Sequence, residues 1–297
     1  MQSRAVQNRM DEQHLRRLVA EYFGAASRLR VLRQTPAFGA PVFVVDFDRG
    51  VRHFRTFGSF GPSFGALDPE APQVTEQSSM DLLYPAHLVF HYERLMSLAF
   101  ALVERPVTAL LLGLGGAAMW RFMRAYVPEC APILVDADEA VAALARRWFY
   151  LSQPVVIETA ERFLAGNRQL FDAVLVDLYD AKGPAKFDAA FWTRCLAALA
   201  PGGCLAVNWA DFATNREVKP MAEALSAVAA AQGLAPYYVT RHGFRDNLIQ
   251  YLPTGGERRP EGIAPALERF ARDRRLPDRG RYILEHCLIS EGFPLEI

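Results

Sequence analysis

The sequence has few lysines, no closely paired cysteines and no long apolar run, and each shortage excludes a class of protein. The cysteines stand alone at Cys130, Cys195, Cys204 and Cys287. Because none forms a C-x-x-C pair or has the spacing of a zinc site, we expect reduced thiols and no bound metal. No run reaches the roughly 18 apolar residues that span a bilayer, and residues 1–25 lack the apolar core of a signal peptide. These absences predict a cytoplasmic protein that does not bind a membrane.

The chain also lacks a net charge, because 33 basic residues balance 33 acidic ones. Neutrality argues against a general attraction to nucleic acid or to an anionic membrane surface. Only three of the basic residues are lysines, and this arginine bias, together with abundant alanine, indicates a GC-rich bacterial genome. Apolar residues make up 51% of the 297, which is typical of a globular protein with one large domain and room for a small appendage.

The N-terminal part reads as a short helix followed by β-structure. Residues 11–23 carry apolar side chains at helical spacing. Residues 42–46 and 51–57 flank an Asp-Arg-Gly turn and predict a hairpin. Residues 58–73, rich in Gly, Pro and Ser, predict a loop. Residues 84–103 are apolar, contain no glycine and predict one long helix.

From residue 107 onward, short apolar runs alternate with helical patterns. The predicted strands are 107–112, 133–135, 155–157, 173–176 and 204–207, and the predicted helices lie near 117–126, 138–150, 160–165, 188–199 and 216–232. Repeated β-α units imply a doubly wound, Rossmann-like parallel sheet with helices on both faces. Residues 235–241 and 247–252 predict a C-terminal antiparallel hairpin. Residues 257–281 are arginine-rich, and we expect a solvated surface segment there.

These patterns divide the chain into three parts. Residues 1–83 form an N-terminal helix and a small β domain, residues 84–256 form the Rossmann-like catalytic domain, and residues 257–297 form a C-terminal tail.

A glycine turn follows the first strand of this sheet. Residues 113–118 read G-x-G-x-x-A between a predicted strand and a predicted helix. Glycine permits a tight turn and lets a nucleotide approach the backbone. The next strand ends in Asp136, whose carboxylate can accept both ribose hydroxyls; an alternative is that Asp136 caps the following helix, although Asp138 fits that role better. The pattern predicts a nucleoside site whose residues are Gly113, Leu114, Gly115, Asp136 and Ala137.

The fourth strand carries the most specific pattern. Residues 171–184 place Asp177 at a strand end, Asp180 three residues later and Gly183-Pro184 after it. This segment resembles the signature of the spermidine synthase (polyamine aminopropyltransferase) family. Gln77-Ser78 and the run Tyr92-Glu93-Arg94-Leu95 stand where that family has its Gln and its Tyr-containing helix, and a Leu-Ala-Pro-Gly-Gly turn before the fifth strand is typical of class I methyltransferase folds. The resemblance covers about residues 40–252 and is closest to a divergent bacterial branch.

The resemblance implies a role for each matching residue. Asp177 would be the catalytic base that removes a proton from the attacking amine. The substrate-binding residues would be Gln77, Tyr92, Tyr179 and Asp180, with Asp180 holding a cationic amine and Tyr179 stacking on it. The co-substrate would be S-adenosylmethionine or decarboxylated S-adenosylmethionine, the partner a small-molecule amine, the pathway polyamine biosynthesis and the assembly a homo-oligomer, most simply a dimer.

The sequence departs from the family at four places, of which the mildest is Asp136, an Asp where the family has a ribose-binding Glu. Gly116 replaces an Asp that binds the amine of the decarboxylated donor. Thr159 and Ala160 replace the acidic adenine contact, although both remain cofactor-binding candidates by position, and Glu93 stands where Gln or His is usual. The loss of the Asp predicts weak discrimination between the decarboxylated and the intact donor, unless another acid supplies the contact.

The main interpretation is a spermidine synthase-like transferase that binds an S-adenosyl nucleoside and transfers an aminopropyl-type group to an amine. One alternative is a methyltransferase that uses intact S-adenosylmethionine, which Gly116 makes plausible. A second is a catalytically silent nucleoside- or polyamine-binding homologue. Retention of both Asp177 and Asp180 argues against the silent protein.

We expect Asp136→Ala to weaken nucleoside binding by about 1–3 kcal/mol, because hydrogen bonds to a charged group are lost. Calorimetric titration measures the change. An unchanged affinity would exclude Asp136 from the nucleoside site.

Overall fold

The computed structural model describes residues 17, 21–23, 29–37, 40–62, 72–180, 183–184, 187–210, 212, 215–241, 247–255, 260–276 and 287–291. Most of the helix predicted over residues 11–23 lies outside these residues, although 21–23 are helical. Within the described ranges, no helix is both long and apolar enough to cross a membrane.

The N-terminal part forms a four-stranded antiparallel sheet. Its strands, in spatial order, are β1 (Leu29–Ala37), β2 (Ala40–Arg49), β3 (Arg52–Pro62) and β4 (Pro72–Asp81). The predicted β2–β3 hairpin is confirmed: Arg49 pairs with Arg52, and Gly50, at φ +62°, supplies the left-handed conformation of the turn.

The loop predicted over residues 58–73 is wrong at both ends. Strand β3 continues through residue 62, strand β4 begins at residue 72, and residues 63–71 lie outside the described ranges. Gly58 lies within β3, and a Cβ atom there would lie 2.4 Å from the Phe43 ring. This glycine therefore makes room for a cross-strand aromatic ring and does not mark a turn.

The long helix predicted over residues 84–103 is also wrong. The structure has two short helices, α1 (His91–Met96) and α2 (Leu98–Ala101), preceded by turns and bends. Pro85 restricts the preceding residue away from helical dihedral angles. Helix α1 then begins after Phe90, whose N–H donates to the Glu93 carboxylate at 3.1 Å, which completes a capping arrangement.

The parallel strands of the main sheet are β5 (Thr108–Leu112), β6 (Ala131–Asp136), β7 (Val155–Ile157), β8 (Phe171–Val176) and β11 (Leu199–Ala210). Its antiparallel strands are β12 (Tyr237–Arg241), β13 (Asn247–Pro253) and β14 (Cys287–Ser290), whereas β9 (Tyr179–Asp180) and β10 (Gly183–Pro184) form a separate small pair. Within the described residues, the eight strands of the main sheet lie in the order β14-β12-β13-β11-β8-β5-β6-β7. The doubly wound sheet and its C-terminal hairpin are confirmed.

Helices cover both faces of this sheet. They are α3 (Ala118–Tyr126), α4 (Glu139–Trp148), α5 (Ala160–Gly166), α6 (Ala189–Ala197), α7 (Val218–Ala230) and α8 (Pro260–Asp273). Strand β5 shows the division clearly: Ala109 and Leu111 face a core shared with α3 and α4, whereas Leu110 and Leu112 face a core shared with α5 and α6. The apolar run of β5 is therefore continuous because the strand is buried on both sides.

The C-terminal segment is not the solvated surface segment that its arginines suggested. Helix α8 buries Ile263, Leu267, Phe270 and Ala271 in the core that includes α2, and β14 pairs antiparallel with β12 at the sheet edge. The buried positions follow the i, i+4, i+7, i+8 spacing of an amphipathic helix, which the charged residues between them obscured. The division of the chain into three parts stays a prediction.

We expect Leu267→Ala to lower the free energy of unfolding by about 2–5 kcal/mol, because it leaves a cavity between α8 and the sheet. The exposed neighbour Arg269 supplies the matched control: Arg269→Ala should change stability by roughly 0.5 kcal/mol or less. Denaturant unfolding measures both variants. Equal stabilities would mean that α8 does not dock on the domain.

Candidate functional site

A cleft opens at the carboxyl ends of β5, β6 and β8. It is lined by Phe57, Thr75, Glu76, Gln77, Tyr92, Gly113, Leu114, Gly115, Asp136, Ala137, Asp138, Glu139, Asp177, Leu178, Asn208, Ala210 and Asn247. Its cavity volume is about 510 Å³, within the roughly 300–1,000 Å³ of typical small-molecule pockets. The cleft has room for a small-molecule ligand.

The glycine turn forms the floor of the cleft. Gly113 has φ +94°, and a Cβ atom there would lie 2.0 Å from the Asp177 carbonyl oxygen, so only glycine fits. Gly115 also has a positive φ, +49°. The turn thus exposes its backbone to the cleft while β5 stays close to the end of β8.

Asp136 holds the glycine turn in place. One carboxylate oxygen accepts the Leu114 N–H at 2.9 Å, and the other accepts the Asp138 N–H at 2.9 Å. Burial raises the pKa of the Asp136 carboxyl, and these two hydrogen bonds lower it in part. The expectation for Asp138 is confirmed, since its side chain caps α4 by accepting the Ala140 N–H at 2.8 Å. Asp136 is therefore not the helix cap.

Asp177 lies at the end of β8, partly buried, and accepts hydrogen bonds from two side chains. Asn208 Nδ2 donates to its Oδ1 at 2.8 Å, and the Tyr92 hydroxyl donates to the same carboxylate. Burial raises the pKa of Asp177, while these hydrogen bonds lower it in part. Burial, with the charge of Asp177 beside it, keeps the pKa of the Tyr92 phenol well above its ordinary value, so Tyr92 remains a donor.

Asn208 and Asn247 were missed by sequence reasoning. Asn208 lies on β11, the neighbour of β8, and its side-chain oxygen accepts from Asn247 Nδ2 at 2.9 Å. The only available signal was an amide near the end of a predicted strand, at the same sheet edge as Asp177. These two amides orient the Asp177 carboxylate.

Of the remaining predicted site residues, some line the cleft and others do not. The side chain of Gln77 donates to Ser59 Oγ at 3.2 Å and lines the cleft as expected. Thr159 and Ala160 lie outside the cleft lining: the Thr159 hydroxyl caps α5 by accepting the Arg162 N–H at 3.3 Å, and Ala160 is buried in the core.

Tyr179 and Asp180 form β9 and pair with Gly183-Pro184, so the backbone after Asp177 turns back on itself. Their side chains lie outside the described parts of the chain. The roles of Tyr179 and Asp180, and the expected effect of Asp180 on the pKa of Asp177, stay predictions.

The structure shows why Gly116 cannot carry a side chain. A Cβ atom at Gly116 would lie 2.6 Å from Ser78 Oγ and 2.8 Å from Ser78 Cβ. Ser78, on β4, fills the space that an acidic side chain would need. The glycine at position 116 therefore fits the position of Ser78 on the N-terminal sheet.

Known proteins similar to this chain are aminopropyltransferases and methyltransferases. The chain is 35% identical over 144 residues to the polyamine aminopropyltransferase of Chromobacterium violaceum, a match that covers 46% of this chain and 54% of the relative. It therefore spans about half the length of the curated relatives it matches. No family model matches the chain.

Two solved structures of other proteins are similar in fold to this chain. The probable spermidine synthase of Corynebacterium glutamicum superimposes with a TM-score of 0.60 at 16% identity, over 80% of this chain and 87% of that one. Human methyltransferase-like protein 13, in complex with SAH, gives a TM-score of 0.50 at 23% identity, over 62% of this chain and 93% of that one.

The chain accordingly has the class I methyltransferase-type fold with a small N-terminal antiparallel sheet. Within that class, the match to the Chromobacterium violaceum relative and the structural neighbour from Corynebacterium confirm the resemblance to the spermidine synthase-like family.

We expect Gly116→Ala to lower the free energy of unfolding by about 1–3 kcal/mol, because the added methyl group overpacks against Ser78. In a Ser78→Gly background the same change should cost less, since the contact is gone. Gly166→Ala is the control, as nothing lies within 4 Å of a Cβ there. Thermal or denaturant unfolding measures all variants, and a cost independent of Ser78 would contradict the steric explanation.

Proposed function

We propose that the protein is a transferase that binds an S-adenosyl nucleoside and transfers an aminopropyl-type group to a small-molecule amine. Support comes from the aminopropyltransferase relatives and from a cleft that brings the glycine turn, Asp136 and Asp177 to one sheet edge. The nucleoside would lie over Gly113–Gly115 with its ribose at Asp136.

In the proposed reaction, the amine nitrogen attacks the methylene carbon beside the sulfonium centre of the donor. A C–N bond forms, the C–S bond breaks, and its electron pair stays on sulfur, so methylthioadenosine leaves. The proton lost by the amine passes to the Asp177 carboxylate. A protonated amine is no nucleophile, and the reaction therefore needs a base within reach of the nitrogen.

The observation that carries the proposal is the environment of Asp177. Its carboxylate faces the cleft, is oriented by Asn208 and Tyr92, and lies against the glycine turn, whose Gly113 touches the Asp177 backbone. Burial raises the pKa of Asp177, which makes its carboxylate a stronger proton acceptor than an exposed one.

A second candidate function is methyl transfer from intact S-adenosylmethionine. The glycine at position 116, which supplies no carboxylate for a donor amine, favours it, and human methyltransferase-like protein 13 has the same fold and was solved with SAH. A titration with S-adenosylmethionine, its decarboxylated form and methylthioadenosine separates the two functions. Tighter binding of the decarboxylated form supports aminopropyl transfer, and equal or tighter binding of the intact form supports methyl transfer.

We expect Asp177→Asn to lower kcat by about 10²–10⁴-fold, because the amide keeps the size of the side chain but cannot take up a proton. Nucleoside binding should stay nearly intact. In the wild type, activity should fall as the pH drops through the raised pKa of Asp177, since protonation removes the base; this acid limb should be absent from the residual activity of the variant. The assay first requires an acceptor, found by screening putrescine, cadaverine, spermidine and related amines.

Asp188→Asn is the matched control, because Asp188 caps α6 by accepting the Phe191 N–H at 2.8 Å and asparagine caps a helix about as well. It should keep wild-type turnover. Wild-type turnover in Asp177→Asn would instead reduce Asp177 to a structural residue at the strand end.

A further inference from the structure

A smaller cavity, here called the inner chamber, adjoins the cleft, since both are lined by Gln77, Tyr92, Asp177 and the turn residues 113–115. Its polar lining consists of Gln77, Ser78, Tyr92, Glu93 and Asp177, and its apolar lining includes Met96, Leu111, Leu114, Ala117, Ala118, Met119, Trp120 and Leu175. No lysine, arginine or histidine is among the described residues that line it. Apolar walls and two carboxyl groups suit an aliphatic chain that ends in a positive charge.

Glu93 is the unexplained group of this chamber. Its side chain is only 4% exposed, and its Oε2 accepts the Phe90 N–H at the start of α1. Its other oxygen, Oε1, is buried and has no hydrogen-bond partner. A buried carboxyl oxygen without a partner is costly to a fold, so a ligand group that donates to it would be strongly favoured.

The charged groups around Glu93 leave this oxygen available. Arg121, on α3, donates from Nε and Nη1 to the backbone carbonyls of Pro85, Gly116 and Phe149, and its Nη2 is buried without a hydrogen-bond partner. Burial raises the pKa of Glu93 to about 8, the charge of Arg121 lowers it, and the charge of Asp177 raises it. Burial therefore favours the protonated form of Glu93 in the free protein, and a bound cation would favour the ionised form.

We propose that Glu93 binds the ammonium group at the end of the donor's aliphatic chain, in place of the acid that position 116 cannot hold. This inference rests on the proposed function, because it takes a nucleoside over the glycine turn whose sulfonium-linked chain enters the chamber. An intact S-adenosylmethionine would bring its carboxylate into the same chamber, where the negative charge of Asp177 repels it. Glu93 thus restores the donor discrimination that Gly116, taken alone, predicts to be weak.

The test is a calorimetric titration of the whole chain and of Glu93→Gln with the three nucleosides. Glutamine keeps the oxygen that accepts the Phe90 N–H, so the helix start is preserved. We expect the wild type to bind the decarboxylated donor on the order of 100-fold tighter than the intact one. Glu93→Gln should weaken binding of the decarboxylated donor by roughly 10- to 100-fold and leave binding of methylthioadenosine, which carries no ammonium group, unchanged.

Proton release gives a second measurement that a structural role would not affect. Near pH 7, the decarboxylated donor should release protons from the wild type and fewer from Glu93→Gln, as titrations in two buffers of different ionisation enthalpy report. Asp177 and Tyr92 also face this site and stay in both proteins, so the difference belongs to Glu93.

The outcomes separate this inference from the proposed function. If methylthioadenosine binds but Glu93→Gln changes neither the affinity for the decarboxylated donor nor the proton release, the role of Glu93 is wrong and the nucleoside site stands. If none of the three nucleosides binds the wild type, the proposed function fails, and the role of Glu93 fails with it.

Discussion

The contact between the Gly113 backbone and the Asp177 carbonyl is the constraint on which the site depends. It brings the end of β5 against the end of β8, two strands that are adjacent and parallel in the sheet. Any side chain at Gly113 would force these ends apart. The glycine turn is the proposed nucleoside site, and Asp177 is the proposed base. This close approach therefore sets the distance between the bound donor and the base.

Three carboxyl groups with different partners share the cleft and its inner chamber. Asp136 is held by two backbone N–H groups, Asp177 by an amide and a phenol, and Glu93 by backbone N–H groups of the residues that precede α1. Burial raises the pKa of all three carboxyl groups, and the hydrogen bonds that they accept lower it in part. A fold that keeps such groups together gives up stability for binding, as functional sites commonly do.

Sequence patterns predicted elements well where burial is regular. The strands β5 to β8 were placed to within a few residues, because strands buried on both faces are continuous apolar runs between turn signals. The prediction of secondary structure and burial failed where a residue type that usually marks a turn or the surface packs within the fold instead. Gly58 accommodates an aromatic ring within a strand, and the arginines of α8 lie between four buried apolar positions.

The residues of the candidate site also fall into two groups, those that the sequence predicted and those that only the structure revealed. Motif and spacing in the sequence alone determined the glycine turn, Asp136 and Asp177, since each follows a strand and all carboxyl ends of parallel strands meet at one edge. Only the tertiary structure decided that Asn208 and Asn247 orient the Asp177 carboxylate, that Ser78 fills the space for a side chain at Gly116, and that Glu93 faces the chamber with an unpartnered oxygen. These facts depend on contacts between residues far apart in the chain, and no local pattern records them.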